Sequence, residues 1–365
     1  MDELRELLEH HVGAGSLPGA VAAVARGGDV EVVVAGAVDV DGTAPMARES
    51  IFRFASVTKP VTAAALLVLV DDGVVALDDP LGRWVPELAA PVVVRTPSSP
   101  VDDVVPPRRP VTVFDVLTGQ AGWGFPSEFG LPAVRALFPV QKDGREVRSF
   151  PPEEEWLAAL ARVPMLYQPG ESWLYDTCSA IQGVLVARAS GMSLPDFLAE
   201  RLFAPLGMAD CAFTVPEHKR GRFTSFYKSG PGGLVLADAP DGQWATDPAF
   251  PLGSGGLAGT VDDWLAFGRM LAAGGGPVLS PAAVRLMTTD HTTAAHRAIG
   301  ALFLEGDGWG MGGSVRGTRY GWLGGTGTSA HVDLATGTVA VLFTQVGADS
   351  PVTPEWMRAF WRLTS

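Results

Sequence analysis

This chain of 365 residues is short of cysteine, of positive charge and of long apolar runs, and each shortage excludes something. Two cysteines, Cys178 and Cys211, cannot make a disulfide framework, so both are read as free thiols. No stretch of about 18 apolar residues occurs, so no membrane-spanning helix is expected. Lys and Arg number 27 against 40 Asp and Glu, and the net charge of −13 argues against nucleic acid or an anionic membrane as partner. The six histidines, at 10, 11, 218, 291, 296 and 331, show no metal-ligand spacing such as His-Glu-x-x-His, and neither metal nor other cofactor is expected. No serine lies in Gly-x-Ser-x-Gly, the strand–turn–helix nucleophile of Ser-His-Asp hydrolases. The opening, Met1 to His10, is charged and amphipathic where a secretory leader would be apolar, and the expectation is a cytoplasmic protein.

What is present is a globular composition, 47% hydrophobic and 18% charged, in a chain long enough to bury a large core. Phe54-Ala55-Ser56-Val57-Thr58-Lys59-Pro60 opens an uncharged run, Val61 to Val70, that reads as a helix buried on every side. Within it Ser56 and Lys59 form a Ser-x-x-Lys element. Residues three apart share a helix face, so Lys59 leans over Ser56. Burial and the positive end of the helix both disfavour an ammonium there, which would free the amine as a base. With 19 serines and only four lysines, chance supplies roughly 0.2 such elements. A second one, Ser225 to Lys228, runs into Ser229-Gly-Pro-Gly-Gly, which cannot continue a helix, and is set aside. The alternative for Ser56 is a helix N-cap with an exposed lysine behind it.

Along the chain, a surface helix over 2–12 precedes strands at 20–25 and 30–35, joined by the turn Arg26 to Asp29. A short strand at 51–54 leads into the Ser56 helix, which Asp71-Asp-Gly73 stops. Residues 76–215 are loop-rich and helical, with helices near 112–118, 152–162, 176–189 and 194–203. Helices at 261–273, capped by Thr260, and near 281–288 follow. Strands are expected at 299–305, 309–315, 328–333 and 338–346, and a closing helix at 353–363. Strands at both ends around a helical middle indicate an antiparallel sheet flanked by helices, an α/β (α+β) fold. The expected division is a sheet domain from 1–75 and 216–365, a helical domain from 76–215, and an active site in the cleft between them.

Three segments stand in order: Ser56-x-x-Lys59, then Gln168-Pro-Gly-Glu-Ser-Trp-Leu-Tyr175-Asp-Thr177 ahead of a helix, then Gly321-Trp322-Leu-Gly324-Gly325-Thr-Gly-Thr328 ahead of a strand. Their order and spacing resemble the serine β-lactamase and DD-peptidase-like hydrolases, in particular the class C and family VIII carboxylesterase branch. Leu117-Thr-Gly-Gln-Ala-Gly-Trp-Gly124, Tyr167-Gln-Pro-Gly170 and Leu202-Phe-Ala-Pro-Leu-Gly-Met208 extend the likeness over nearly the whole chain. The resemblance implies the β-lactamase/transpeptidase-like fold, with Ser56 as a nucleophile that becomes acylated, Lys59 as its proton acceptor or relay, and Tyr175 as a proton shuttle. A phenol of pKa about 10 works as a base only where a cation holds its phenolate, and Lys59 is the candidate. The same resemblance makes the backbone N–H groups of Ser56 and Gly325 an oxyanion hole, and glycines suit a strand edge that must approach a ligand.

Two positions depart from that family's pattern. Trp322-Leu-Gly324 stands where peptidases carry Lys-Thr-Gly or His-Thr-Gly, and an indole cannot attract a carboxylate. This tilts the expectation toward neutral esters. Thr177 replaces an asparagine, and Asp176 beside Tyr175 could redirect the shuttle's proton affinity or contact substrate. Trp123, Phe125 and Trp322 are the expected aromatic acyl pocket, set against the alternative of stray core aromatics. Arg316, Arg319 and His331 flank the third motif; the two readings are that they replace its missing charge or, the favoured one, that they are solvated residues of a strand edge. The partner expected is a small acyl substrate, and the oligomeric state stays open. Ester hydrolysis leads, amide hydrolysis and acyl transfer use the same machinery, and a catalytically dead binding module is the non-enzyme alternative.

Overall fold

A computed structural model describes residues 1–364. The elements that place the site are helix α1 (Asp2–Gly13), strands β1 (Gly19–Arg26) and β2 (Asp29–Gly36), and helices α2 (Thr58–Asp71), α3 (Thr177–Ser190) and α4 (Val261–Ala272). Strands β3 (Gly308–Trp309), β4 (Ser314–Arg316), β5 (Arg319–Gly324), β6 (Thr328–Asp333) and β7 (Thr338–Thr344) follow, with helix α5 (Glu355–Thr364) last. They form one seven-stranded antiparallel sheet in the order β2-β1-β7-β6-β5-β4-β3. Strands from the two chain ends pair as its second and third members, where Ala22 of β1 faces Leu342 of β7.

Both faces of the sheet are covered, which is why β1 is apolar from Gly19 to Ala25 and not at alternate positions. Val21, Ala23 and Ala25 point into the large core shared with α2, α3 and α4. Ala20, Ala22 and Val24 point the other way, under Leu4 and Leu8 of α1 and Phe360 of α5. Helix α2 is buried from Thr58 to Leu69, as its uncharged sequence requires. The capping box at the start of α4 is formed: Thr260 accepts from the Asp263 N–H, and Asp263 accepts from the Thr260 N–H. Cys178 and Cys211 are free and buried, and burial pushes the Cys178 thiol up to about 12. Among the described residues no helix is long and apolar enough to cross a membrane.

Two expectations need correction. Residues 299–305 are helical, over Ala294–Ile299 and Ala301–Leu304, not extended. A short apolar run carries no period of its own. Here Ser127 decides, because its N–H and Oγ both donate to the Ile299 carbonyl while its Oγ accepts from the Leu302 N–H. Residues 309–315 are two strands, β3 and β4, separated by a glycine turn. Gly312 has φ +79°, and a Cβ there would lie 2.5 Å from the Lys59 carbonyl oxygen, so only glycine lets this turn pass α2. The third motif precedes the strand β6, as expected, and its first four residues, Gly321 to Gly324, also complete the strand β5, to which no expectation was attached. The helix Pro132–Leu137 had no expectation attached to it.

The strand Phe52–Arg53 that delivers Ser56 is anchored by a buried charge. Arg53 donates from Nε to Asp238 at 2.8 Å, and its guanidinium lies 4.1 Å from the Phe223 ring centroid. Buried arginine is tolerated where its fork is paired and its face is stacked.

Candidate active site

Ser56 lies in a 3-10 turn, Ala55–Val57, that feeds into α2. Ala55 before it has φ +45°, a conformation that costs a non-glycine residue about 1–3 kcal/mol. The turn is held from outside. Thr326 Oγ1 donates to the Arg53 carbonyl at 2.6 Å and Thr328 Oγ1 to the Phe54 carbonyl at 2.8 Å. A Cβ on Gly324 would meet the Phe54 carbonyl oxygen at 2.3 Å, so the glycine lets β5 lie directly against the nucleophile turn. These threonine clamps were not legible beforehand, because hydroxyls in a Gly-Gly-Thr-Gly-Thr run resemble those of any turn.

On that turn three side chains converge. Lys59 Nζ donates to Ser56 Oγ at 2.8 Å, to the Ser254 carbonyl at 2.6 Å, and lies 2.7 Å from Asp176 Oδ1. The Tyr175 hydroxyl donates to Ser56 Oγ at 2.8 Å and accepts from Trp322 Nε1–H at 2.9 Å. Tyr175 is placed by paired backbone hydrogen bonds with Phe125, each 3.0 Å, and its ring stacks on Phe303 with centroids 4.5 Å apart. Lys59 is wholly buried. Burial pulls its pKa down, but the Asp176 carboxylate, and Tyr175 after it, outweigh this and hold it above the ordinary lysine value. The free amine expected from burial and helix position thus meets a counter-ion 117 residues away in the chain, a contact that no local pattern announces.

A sequence model of the Beta-lactamase family matches residues 4–359. The chain belongs to the beta-lactamase family. Rv1367c of Mycobacterium tuberculosis is 37% identical over 311 residues, covering 83% of this chain and 76% of that protein. Esterase EstB of Burkholderia gladioli is 32% identical over 313 residues, covering 81% of this chain and 74% of EstB. Among solved structures, EstCE1, titled a hydrolase with promiscuous acyltransferase activity, aligns at a TM-score of 0.84 and 22% identity, over 100% of this chain and 97% of EstCE1. That likeness shows the fold. The family is one of hydrolases that includes esterases, acyltransferases and amidases.

In this beta-lactamase-family protein Ser56, Tyr175, Trp322, Gly324 and Gly325 line a cleft of about 720 Å³. Phe125 lines it too. Trp123 does not: its ring is buried in the helical core and its Nε1–H donates to the Val163 carbonyl at 2.9 Å, so it leaves the proposed pocket. Asp176 borders the cleft, yet one carboxylate oxygen meets Lys59 and the other accepts from Gln141 Nε2 at 2.6 Å, which turns it away from substrate contact. Thr177, at the family's asparagine position, is buried and its Oγ1 has no hydrogen-bond partner among the described residues. His331 is buried and packs edge-on to Trp361 at 5.2 Å, while Arg316 pairs with Asp307; neither residue, nor Arg319, lines the cleft. The solvated-edge reading is thus wrong for His331, which β6 carries into the interior.

Sequence reasoning missed Gln141, Ser254, Phe129, Phe138 and Phe303. None lies in a motif: Gln141, Ser254 and Phe129 stand in loops, Phe138 ends the helix Pro132–Leu137, and Phe303 lies in the short helix Ala301–Leu304. The three phenylalanines form one wall with Phe125: Phe303 to Phe129 is 6.1 Å, Phe129 to Phe138 is 6.0 Å and Phe138 to Phe125 is 5.0 Å between centroids.

Proposed function

We propose that this chain is a serine hydrolase that acts on carboxylic esters through an acyl-enzyme at Ser56. The supporting observation is the continuous hydrogen-bonded line from Lys59 to Ser56 to Tyr175 to Trp322, each link 2.8–2.9 Å. Tyr175 enters the step as the phenolate, its own proton given up to solvent; Ser56 Oγ attacks the ester carbonyl carbon while the serine proton passes to that phenolate oxygen. The N–H groups of Ser56 and Gly325 receive the oxyanion, an arrangement that typically contributes about 10²–10³ in rate per donor. Tyr175 then protonates the departing alkoxide, and water releases the acyl group. Trp322 supports the ester reading: its indole N–H serves the Tyr175 oxygen and provides no charge for a substrate carboxylate. Buried, unpaired thiols accord with action in the cytoplasm.

The test is hydrolysis of short p-nitrophenyl esters by the wild type and by Ser56→Ala, where equal rates would end the proposal. Acyl transfer to an alcohol is the second reading, favoured by a cleft large enough to hold an acceptor beside the acyl group. Added alcohols that capture the acyl group ahead of water would put it first.

The phenylalanine wall sets a preference for medium apolar chains. Each buried methylene is worth about 0.8 kcal/mol, or roughly fourfold in kcat/KM. Phe129 and Phe138 are 37% and 46% exposed, so truncating them costs little stability. With Phe129→Ala/Phe138→Ala the gradient between butanoate and octanoate esters should flatten while acetate turnover stays near wild type, as measured by kcat/KM across the series.

A further inference from the structure

Asp176 is the strangest residue of the site. Its backbone has φ +79° and ψ −60°, and the Thr177 N–H donates to the Tyr175 carbonyl at 3.1 Å, closing a γ-turn with Asp176 at its centre. This form of the turn is rare and strained for an L residue. Such strain persists only where the surroundings over-determine it, and it gathers at functional sites. The determinants here are Lys59 on one carboxylate oxygen and Gln141 on the other. The turn aims two neighbouring side chains at one place, the Tyr175 hydroxyl onto Ser56 and the Asp176 carboxylate onto Lys59.

Hydrogen bonding alone does not choose the state of Lys59. An ammonium serves Ser56 Oγ, the Ser254 carbonyl and Asp176 with its three protons. A neutral amine could serve the last two and accept from Ser56. Charge chooses, because a neutral amine would leave the Asp176 carboxylate, whose side chain is 15% exposed, without a cation. The titratable groups facing Lys59 are Asp176 and Tyr175. The loop at Ser254 offers it only a carbonyl, and β5 contributes Trp322, uncharged, on the far side of the Tyr175 hydroxyl.

We propose that Asp176 is a positioning residue that keeps Lys59 an ammonium, so that the Ser56 proton leaves for the Tyr175 oxygen and not for Lys59. This rests on the hydrolase reading above. In the step, Ser56 Oγ bonds the acyl carbon, its proton moves to the Tyr175 phenolate, and that same proton goes to the departing alkoxide oxygen. Lys59 keeps three protons throughout and stabilises the phenolate from 4.8 Å off the ring centroid.

The test compares the wild type with Asp176→Asn, which tolerates positive φ, and Asp176→Gly, which relieves the turn and also lacks the carboxylate. In both variants the alkaline limb of the kcat/KM profile should move down by about 1–3 pH units, because burial then acts on Lys59 with only Tyr175 to oppose it. A gain in rate at neutral pH, or an acid limb moved down, would make the free amine the acceptor and overturn the proposal. So would an unchanged profile, or a shift in only one variant. A second readout does not depend on turnover. The chain has only four lysines, so ¹³Cε-lysine NMR gives four signals, with Lys59 assigned by its loss in Lys59→Arg. The Lys59 signal should titrate above the ordinary lysine value in the wild type and below it in Asp176→Asn. Titration below that value in the wild type would overturn the proposal even if no ester is turned over. Absence of Ser56-dependent hydrolysis with the expected NMR shift would instead count against the hydrolase reading.

Discussion

Replacing Tyr175 by phenylalanine is expected to lower kcat toward a neutral ester by about 10²–10⁴-fold, the range that positioned acid–base groups contribute. The Tyr175 hydroxyl is the one group that touches both Ser56 Oγ and the Trp322 indole, so its loss breaks the line at its middle. The ring should stay in place, because Phe303 stacks on it and the Phe125 backbone pins the chain on either side. The stability cost should be the unpaired indole N–H alone, about 1–3 kcal/mol for a buried donor. Steady-state kinetics and chemical denaturation on the same preparation separate the two effects. Retention of near wild-type kcat would remove Tyr175 from the proton path.

Lys59→Ala should behave differently, losing both turnover and stability. Rates are expected to fall to the level of Ser56→Ala. Removing one member of a buried ion pair leaves an uncompensated charge, and unfolding by urea should show a loss of about 3–5 kcal/mol. Motif logic alone treats Lys59 as a purely chemical residue whose removal leaves folding intact; the Asp176 pair says otherwise. Adding Asp176→Asn to Lys59→Ala should recover part of the stability and none of the rate. If the double variant is as unstable as the single one, the pair is not what Lys59 contributes to folding.

Much of the architecture was legible from local pattern. The short apolar strands at both chain ends, the uncharged helix after Ser56 and the Thr260 cap are all encoded within a dozen residues. Where the pattern misled, the deciding contact was distant. Residues 299–304 fold as helix because Ser127 grips Ile299, and no window around them contains that serine. Trp123 left the pocket for the same reason: a carbonyl at Val163 claims its indole.

The amino-acid order by itself determined which hydroxyl, amine, phenol and glycines could take part, because each lies in a short motif whose spacing is local chemistry. Only the tertiary structure decided the counter-ion of Lys59, the partner of the Trp322 indole and the aromatic wall. The physical reason is that electrostatic state and side-chain aim depend on atoms within a few ångströms in space. Here those atoms belong to residues more than a hundred positions apart in the chain, Asp176 to Lys59 and Trp322 to Tyr175.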